Sequence, residues 1–226
     1  MSLILNIDTA TETASVCIAN DTDIIGQEVN EIQQDHASFL HKAIKKLGDD
    51  LPNGLSSIDA VAVNWGPGSY TGLRVGMAAA KGLCYALNKP FITVNSLAIL
   101  AKSVIMQQAF EGKNSSLICP LVDARRMEVF TAVYDQEMNE VIAPCAMILH
   151  ENSFADILKE KPILFLGSGA KKFQQILAHP NASYINATGL MHAMSSLSLE
   201  KKKKKSYTEL IHSQPFYIKD FYSPTQ

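Results

Sequence analysis

Apolar, β-prone residues open the chain as LILNID, give way to a threonine-rich turn, and resume as ASVCIA. Asn20, Asp21, Thr22 and Asp23 form a polar turn, and a further strand is expected over 24–29. The period then changes from two to 3.6. Phe39, Leu40, Ala43, Ile44 and Leu47 recur at helical spacing, with His41, Lys42, Lys45 and Lys46 opposite them. Asp35 stands where an N-cap belongs and Gly48 where a helix ends. A strand over 58–63 shows little alternation, as expected of one buried on both faces. The stretch NWGPGSYTGLRVGMAAAKG follows, then a helix over 71–87, a strand over 91–94 and a helix over 96–110.

The second half partly repeats this order. Strands are expected over 116–123, 128–134, 141–148 and 163–166. Short helices are expected over 154–159 and from 170 to about 178, and a longer one from 190 into the lysines at 201–205. Antiparallel meanders joined to parallel crossovers predict an α/β chain of two lobes, each with a mixed sheet. The lobes are expected over 1–105 and 106–226, with the boundary in the region from 100 to the polar stretch 111–115.

Composition narrows the function. With 226 residues, 47% hydrophobic and 19% charged, the chain is long enough for a sizeable core. A net charge of −2 supplies no global field for nucleic acid or an anionic membrane. No apolar run approaches the ~20 residues of a membrane span, and no signal-peptide pattern opens the chain, so a cytoplasmic protein is expected. Cys17, Cys84, Cys119 and Cys145 are widely spaced without a CxxC pair, and Cys17 and Cys84 read as buried free thiols.

Four places carry candidate chemistry. Asp8, Thr9 and Thr11 occupy the turn after the first strand. In two-lobed sugar kinases and actin-like ATPases that turn carries Asp followed by Gly, and its N–H groups meet phosphate. Here the glycine is missing, so the alternatives are a degenerate phosphate turn and a plain Asx or Ser/Thr turn. The matching turn of the second lobe is Asp123-Ala124-Arg125-Arg126, whose arginines can grip an anion or hold Asp123, Glu128 or a partner's carboxylate. Gly167-Ser168-Gly169 fits an adenosine-binding loop or an ordinary tight strand-to-helix turn. Gly66, Gly68, Ser69 and Thr71 form a strand-to-helix turn without a Walker lysine. It can hold an anion at the helix N-terminus, or Ser69 or Thr71 can cap the helix.

The helix after this corner is unusual. Gly72, Gly76, Ala80 and Cys84 recur every four residues, beside an apolar stripe that includes Leu73 and Met77. A glycine inside a helix costs about 1 kcal/mol against alanine, so Gly76 and Gly82 need a packing reason. Either the row packs on the chain's own sheet or it admits a second protein, and the expected interface comprises these residues with Leu83, Phe39 and Leu40. His36 and His41 are five apart, point to different helix faces and read as surface residues, so no metal pair is expected. The lysine run at 201–205 reads as a solvated helix end, with an RNA contact as the alternative.

ILNIDTATETASVCIA, NWGPGSYTGLRVGMAAAKGL, LVDARRMEVF and QPFYIKD, in this order, closely resemble the TsaB (YeaZ) family of bacterial tRNA threonylcarbamoyladenosine biosynthesis proteins. The resemblance implies an actin-like, Hsp70-like two-lobed ATPase fold of the ribonuclease H type and a catalytically inert paralogue of the TsaD transferase. It implies binding to TsaD through helices over 35–47 and 71–87, recruitment of the ATPase TsaE, and self-pairing through the same helices. The complex would transfer threonylcarbamoyl to N6 of adenosine 37 in tRNAs reading ANN codons. This chain would need no cofactor of its own, with ATP handled by the partners and tRNA met mainly through the complex. Two departures stand out. Tyr217-Ile218-Lys219 replaces the family's Tyr-Leu-Arg, and the lysine run is unusual. The competing activities are an ATP-dependent kinase, which the missing turn glycines oppose, and a metallopeptidase, which lacks a paired ligand motif.

Overall fold

The structure, a computed structural model, describes residues 1–32, 35–107 and 116–219. The expected linker at 111–115 and the end of the third expected helix lie outside the described residues. Strands β1 (Leu3–Asp8), β2 (Ala14–Asn20) and β3 (Asp23–Asn30) form the antiparallel meander. Helix α1 (His36–Asp49) leads to β4 (Ala60–Gly66), α2 (Tyr70–Leu87), β5 (Phe91–Asn95) and α3 (Ser96–Met106). The first sheet has the order β3-β2-β1-β4-β5, with β4 and β5 parallel to β1.

The second sheet is wound the same way. It comprises β6 (Leu117–Asp123), β7 (Glu128–Tyr134), β8 (Glu140–Ile148), β9 (Ile163–Leu166) and β10 (Ala182–Ile185). Its order, β8-β7-β6-β9-β10, matches the first sheet strand for strand. Its crossover helices are abbreviated: α4 (Ala155–Glu160) has 6 residues and α5 (Ala170–Gln174) has 5, against 14 and 18 for α1 and α2. The shorter α5 and the strand β10 were not expected from the sequence. Two mixed sheets wound alike form the two-lobed actin-like α/β fold.

Each sheet is covered on both faces, which explains why β1 and β4 are almost continuously apolar. In the first lobe, Leu5, Ile7 and Val63 pack under Leu40, Ile44, Leu47 and Met77 of α1 and α2. The opposite face, with Ile4, Cys17, Ala62 and Ile92, meets Met191, Met194 and Leu199 of α6 (Leu190–Lys203). In the second lobe, Phe165 packs with Phe154 and Phe173 on one face. Leu97, Ala101 and Val104 of α3 cover the other. Each lobe's last helix therefore covers the back of the other lobe's sheet. Buried Asn6 fixes the first of these contacts, accepting from Ser198 Oγ at 2.7 Å and lying 3.4 Å from Ser195 Oγ.

After α6 the chain runs back along the first lobe as a strap, residues 206–219. The main-chain N–H of Thr208 donates to Phe91 O (2.8 Å), and Thr208 Oγ1 accepts from Thr93 N (3.2 Å), covering the free edge of β5. Lys81 Nζ donates to Ile211 O and Ser213 O. Phe216 stacks on Trp65, Ile218 packs against the second lobe, and Lys219 pairs with Glu128 of β7. Lys201 also reaches Thr93 O, and Lys202 reaches Ser2 Oγ and Asp59. Two of the five lysines are thus held on the first lobe rather than solvated, because α6 lies across that sheet. All four cysteines are free.

Candidate functional site

The glycine-rich corner is filled by the chain itself. Ser69 N donates to Ala10 O at 2.7 Å, and Thr9 Oγ1 donates to Gly72 O at 2.7 Å. The turn after β1 is therefore laid directly on the start of α2. A Cβ at Gly68 would overlap Ala10 O, at Gly72 it would overlap Thr9 O, and at Gly76 it would overlap Thr9 Oγ1. These glycines exist for close approach of main chain to helix. Ser69 caps α2, its Oγ accepting from Gly72 N at 3.4 Å, whereas Thr71 is exposed. Gly66 has φ 115°, and Phe216 O of the strap lies 2.9 Å from where its Cβ would stand.

Asp8 ends β1 and is buried. Its Oδ1 accepts from Ala10 N and from Asn64 Nδ2, each at 3.0 Å. Asn64 Oδ1 in turn accepts from Ser96 Oγ (2.7 Å) and Gly66 N (3.1 Å). Burial raises the Asp8 carboxyl above its usual range, against the opposing pull of the Ala10 and Asn64 hydrogen bonds and of His36. Thr9 is buried, whereas Thr11 is exposed with its hydroxyl on Thr13 O. His36 departs from expectation. Helix α1 begins at this residue against the β1–β2 turn, so the ring is buried, with Nε2 3.1 Å from Thr11 O and Nδ1 without a hydrogen-bond partner among the described residues.

The second lobe repeats the device. Gly169 N donates to Leu121 O at 2.8 Å, and Asp123 N donates to Ser168 Oγ at 3.0 Å. A Cβ on Gly167 would stand 2.6 Å from Leu121 O, and one on Gly169 2.7 Å from Val129 Cγ1. Asp123 is exposed and paired with Lys172 at 3.1 Å. Lys172 also donates to Arg126 O and Glu128 O. Asp8 and Asp123 thus hold equivalent places in the two sheets, but their surroundings differ in burial and charge.

The small-residue row is corrected by its burial. Gly72, Leu73, Gly76, Met77, Ala80 and Cys84 all face the first sheet, as does Leu40 of α1. None of them is free to meet a second protein, because the sheet and the β1–β2 turn already occupy that face. Phe39 and Leu83 remain partly exposed. The face that is open carries a different row, Ala78, Gly82 and Ala86, with Tyr85 83% exposed beside it. A Cβ at Gly82 would meet nothing within 4 Å. Next to this row, Tyr70, Arg74, Ala78 and Lys81 join Pro215 and Tyr217 of the strap around a groove of 530 Å³. Arg74 donates to Tyr70 Oη at 2.6 Å and lies over its ring.

Sequence reasoning missed Asn64, Ser96, Lys172 and the open row on α2. Asn64 carried a signal, as a polar residue inside an otherwise apolar strand. The open row was masked by the more conspicuous glycines beside it.

The family model for TsaD, tRNA N6-adenosine threonylcarbamoyltransferase, matches residues 24–222. The chain is 31% identical to the tRNA threonylcarbamoyladenosine biosynthesis protein TsaB of Bacillus subtilis over 77% of its own length and 74% of that protein. It is also 31% identical to Escherichia coli TsaB, over 61% of its own length and 57% of that protein. Among solved structures, an uncharacterised Pseudomonas aeruginosa protein with similarity to peptidase YeaZ superposes with a TM-score of 0.78 at 25% identity. That match covers 97% of this chain and all of the other. On the family model, the sequence identities and the shared architecture, the chain belongs to the TsaD-type family and within it to the TsaB (YeaZ) group.

Proposed function

We propose that the chain is a non-catalytic subunit in tRNA threonylcarbamoyladenosine biosynthesis, working in the cytoplasm. It binds a TsaD-type transferase as a heterodimer, and the pair recruits a TsaE-type ATPase. The product would be threonylcarbamoylated N6 of adenosine 37 in tRNAs reading ANN codons. Alone, the chain pairs with a second copy. ATP is handled by the partners, and tRNA is met mainly through the complex.

The observation that carries this reading is the closed corner. A phosphate at the start of α2 would need the N–H groups and the space that Ala10 O and Thr9 now occupy. The matching turn of the second lobe is closed in the same manner by Gly169 and Ser168. Against that, the outer face of α2 offers small residues that permit close helix approach, flanked by the exposed rings of Tyr85 and Tyr70.

Co-purification of the chain with its cognate transferase tests the reading. A one-to-one complex is expected, with no ATP hydrolysis by the chain alone. Absence of the complex, or ATP turnover by the isolated chain, would overturn it.

A further inference from the structure

Among the described residues, the arginine side chains of the second-lobe turn enter neither hydrophobic core nor any ion pair. Arg125 and Arg126 are both exposed, with φ of 71° and 48°. Left-handed backbone is costly for residues with a Cβ and is ordinarily given to glycine or asparagine. The turn is nevertheless well held. Ala124 N donates to Glu128 O, Glu128 N to Arg125 O, each at 3.0 Å, and Arg125 N to Asp123 Oδ1 at 2.6 Å. Strained positions that the surroundings enforce in this manner concentrate where side chains must be presented.

The carboxylates that might have claimed these guanidinium groups are already taken. Lys172 pairs with Asp123, and Lys219 of the strap donates to both oxygens of Glu128 at 2.9 and 3.0 Å. Among the described residues, neither arginine has a carboxylate within ion-pair distance. Among the described residues, four cations from the β6–β7 turn, α5 and the strap therefore share this surface with two carboxylates that two of them neutralise. The excess is positive on a chain whose net charge is −2.

We infer that Arg125 and Arg126 are a contact of this chain with the phosphate backbone of RNA. Two exposed guanidinium groups on adjacent residues, with no carboxylate paired to them among the described residues, suit bidentate contact with phosphate oxygens. The inference rests on the proposed role in tRNA modification and adds to it a direct contact by this subunit.

The test uses Arg125→Gly with Arg126→Gly, because glycine suits both φ values and removes only the side chains. Affinity for labelled unmodified tRNA is read between 50 and 200 mM salt, on the chain alone and on the chain with its transferase. Thermal stability of the variant is expected at or above the parent's. Its RNA affinity is expected to fall roughly tenfold, and the slope of log affinity against log salt to shrink by about 1 to 2. Unchanged affinity and slope would overturn the inference. So would weakened binding of a protein partner with RNA affinity intact, which would assign the arginines to that partner. Failure of the parent chain to bind its transferase would count against the proposed function, while the measurement on the chain alone still decides the RNA contact.

Discussion

The main-chain N–H of Ser69 meets the carbonyl of Ala10 at 2.7 Å, joining the start of α2 to the turn after β1. That single bond answers what the glycine-rich corner holds. It holds the chain's own β1–β2 turn, whose Ala10 O and Thr9 O lie against Gly68 and Gly72. Three glycines serve the contact, and each does so by lacking a Cβ.

Gly72→Ala forces a Cβ into Thr9 O, a main-chain atom that cannot rotate away. We expect a loss of about 2–3 kcal/mol in urea denaturation. Gly82→Ala, on the open face of the same helix, should instead gain about 0.5–1 kcal/mol. Equal effects at the two positions would mean that the packing of the corner is misjudged.

Asp8 supplies a pH signature. Burial lifts its folded-state pKa above the ordinary 3.8, so the folded chain binds this proton more tightly than the unfolded chain. Stability from this group therefore declines as pH rises through the interval between the two values, and the penalty is complete above the folded pKa. Asp8→Asn removes the penalty. Its stability relative to the parent should improve steadily from acid to neutral pH in parallel denaturation series. A relative stability that worsens over that range would reverse the sign assigned to Asp8.

Phe216 and Trp65 stack with centroids 5.2 Å apart, and Trp65 is the chain's one tryptophan. Its fluorescence therefore reports attachment of the strap. Phe216→Ala should shift the emission to the red, cost about 1–2 kcal/mol and speed hydrogen exchange over residues 206–219. An unmoved emission maximum would show that the strap does not depend on this stack.

Much of the fold was legible because its signals are local. The strands β1, β2, β6 and β7, and the helix α2, follow from apolar runs, polar turns and the 3.6 period. The ends were less so. Gly48 reads as a helix terminus, yet it lies inside α1, where Leu55 packs at 2.7 Å from its absent Cβ. A tertiary contact set that glycine, and local pattern carries no trace of it. The same limit applies to the site. Gly72, Gly76, Ala80 and Cys84 announced close packing, but spacing alone does not distinguish the chain's own sheet from a partner. His36 was hidden for a related reason. A histidine at the first turn of a polar-looking helix reads as exposed until the β1–β2 turn is folded over it.

The open row on α2 gives the interface a sharper test than the buried one. Gly82→Arg projects a charged side chain into space that the folded chain leaves empty, so stability should change by only about 0.5 kcal/mol beyond the propensity term. Binding of the transferase partner should weaken at least tenfold by calorimetry. Undiminished binding by the folded variant would move the interface off this face.

The most direct measurement reconstitutes adenosine 37 modification from purified components, with the transferase, the ATPase, the threonylcarbamoyl-adenylate donor and unmodified tRNA. The account predicts multiple turnovers only when this chain is present, and no product from this chain alone with donor and tRNA. Modification by the isolated chain, or full turnover without it, would contradict the assignment of a non-catalytic activating subunit.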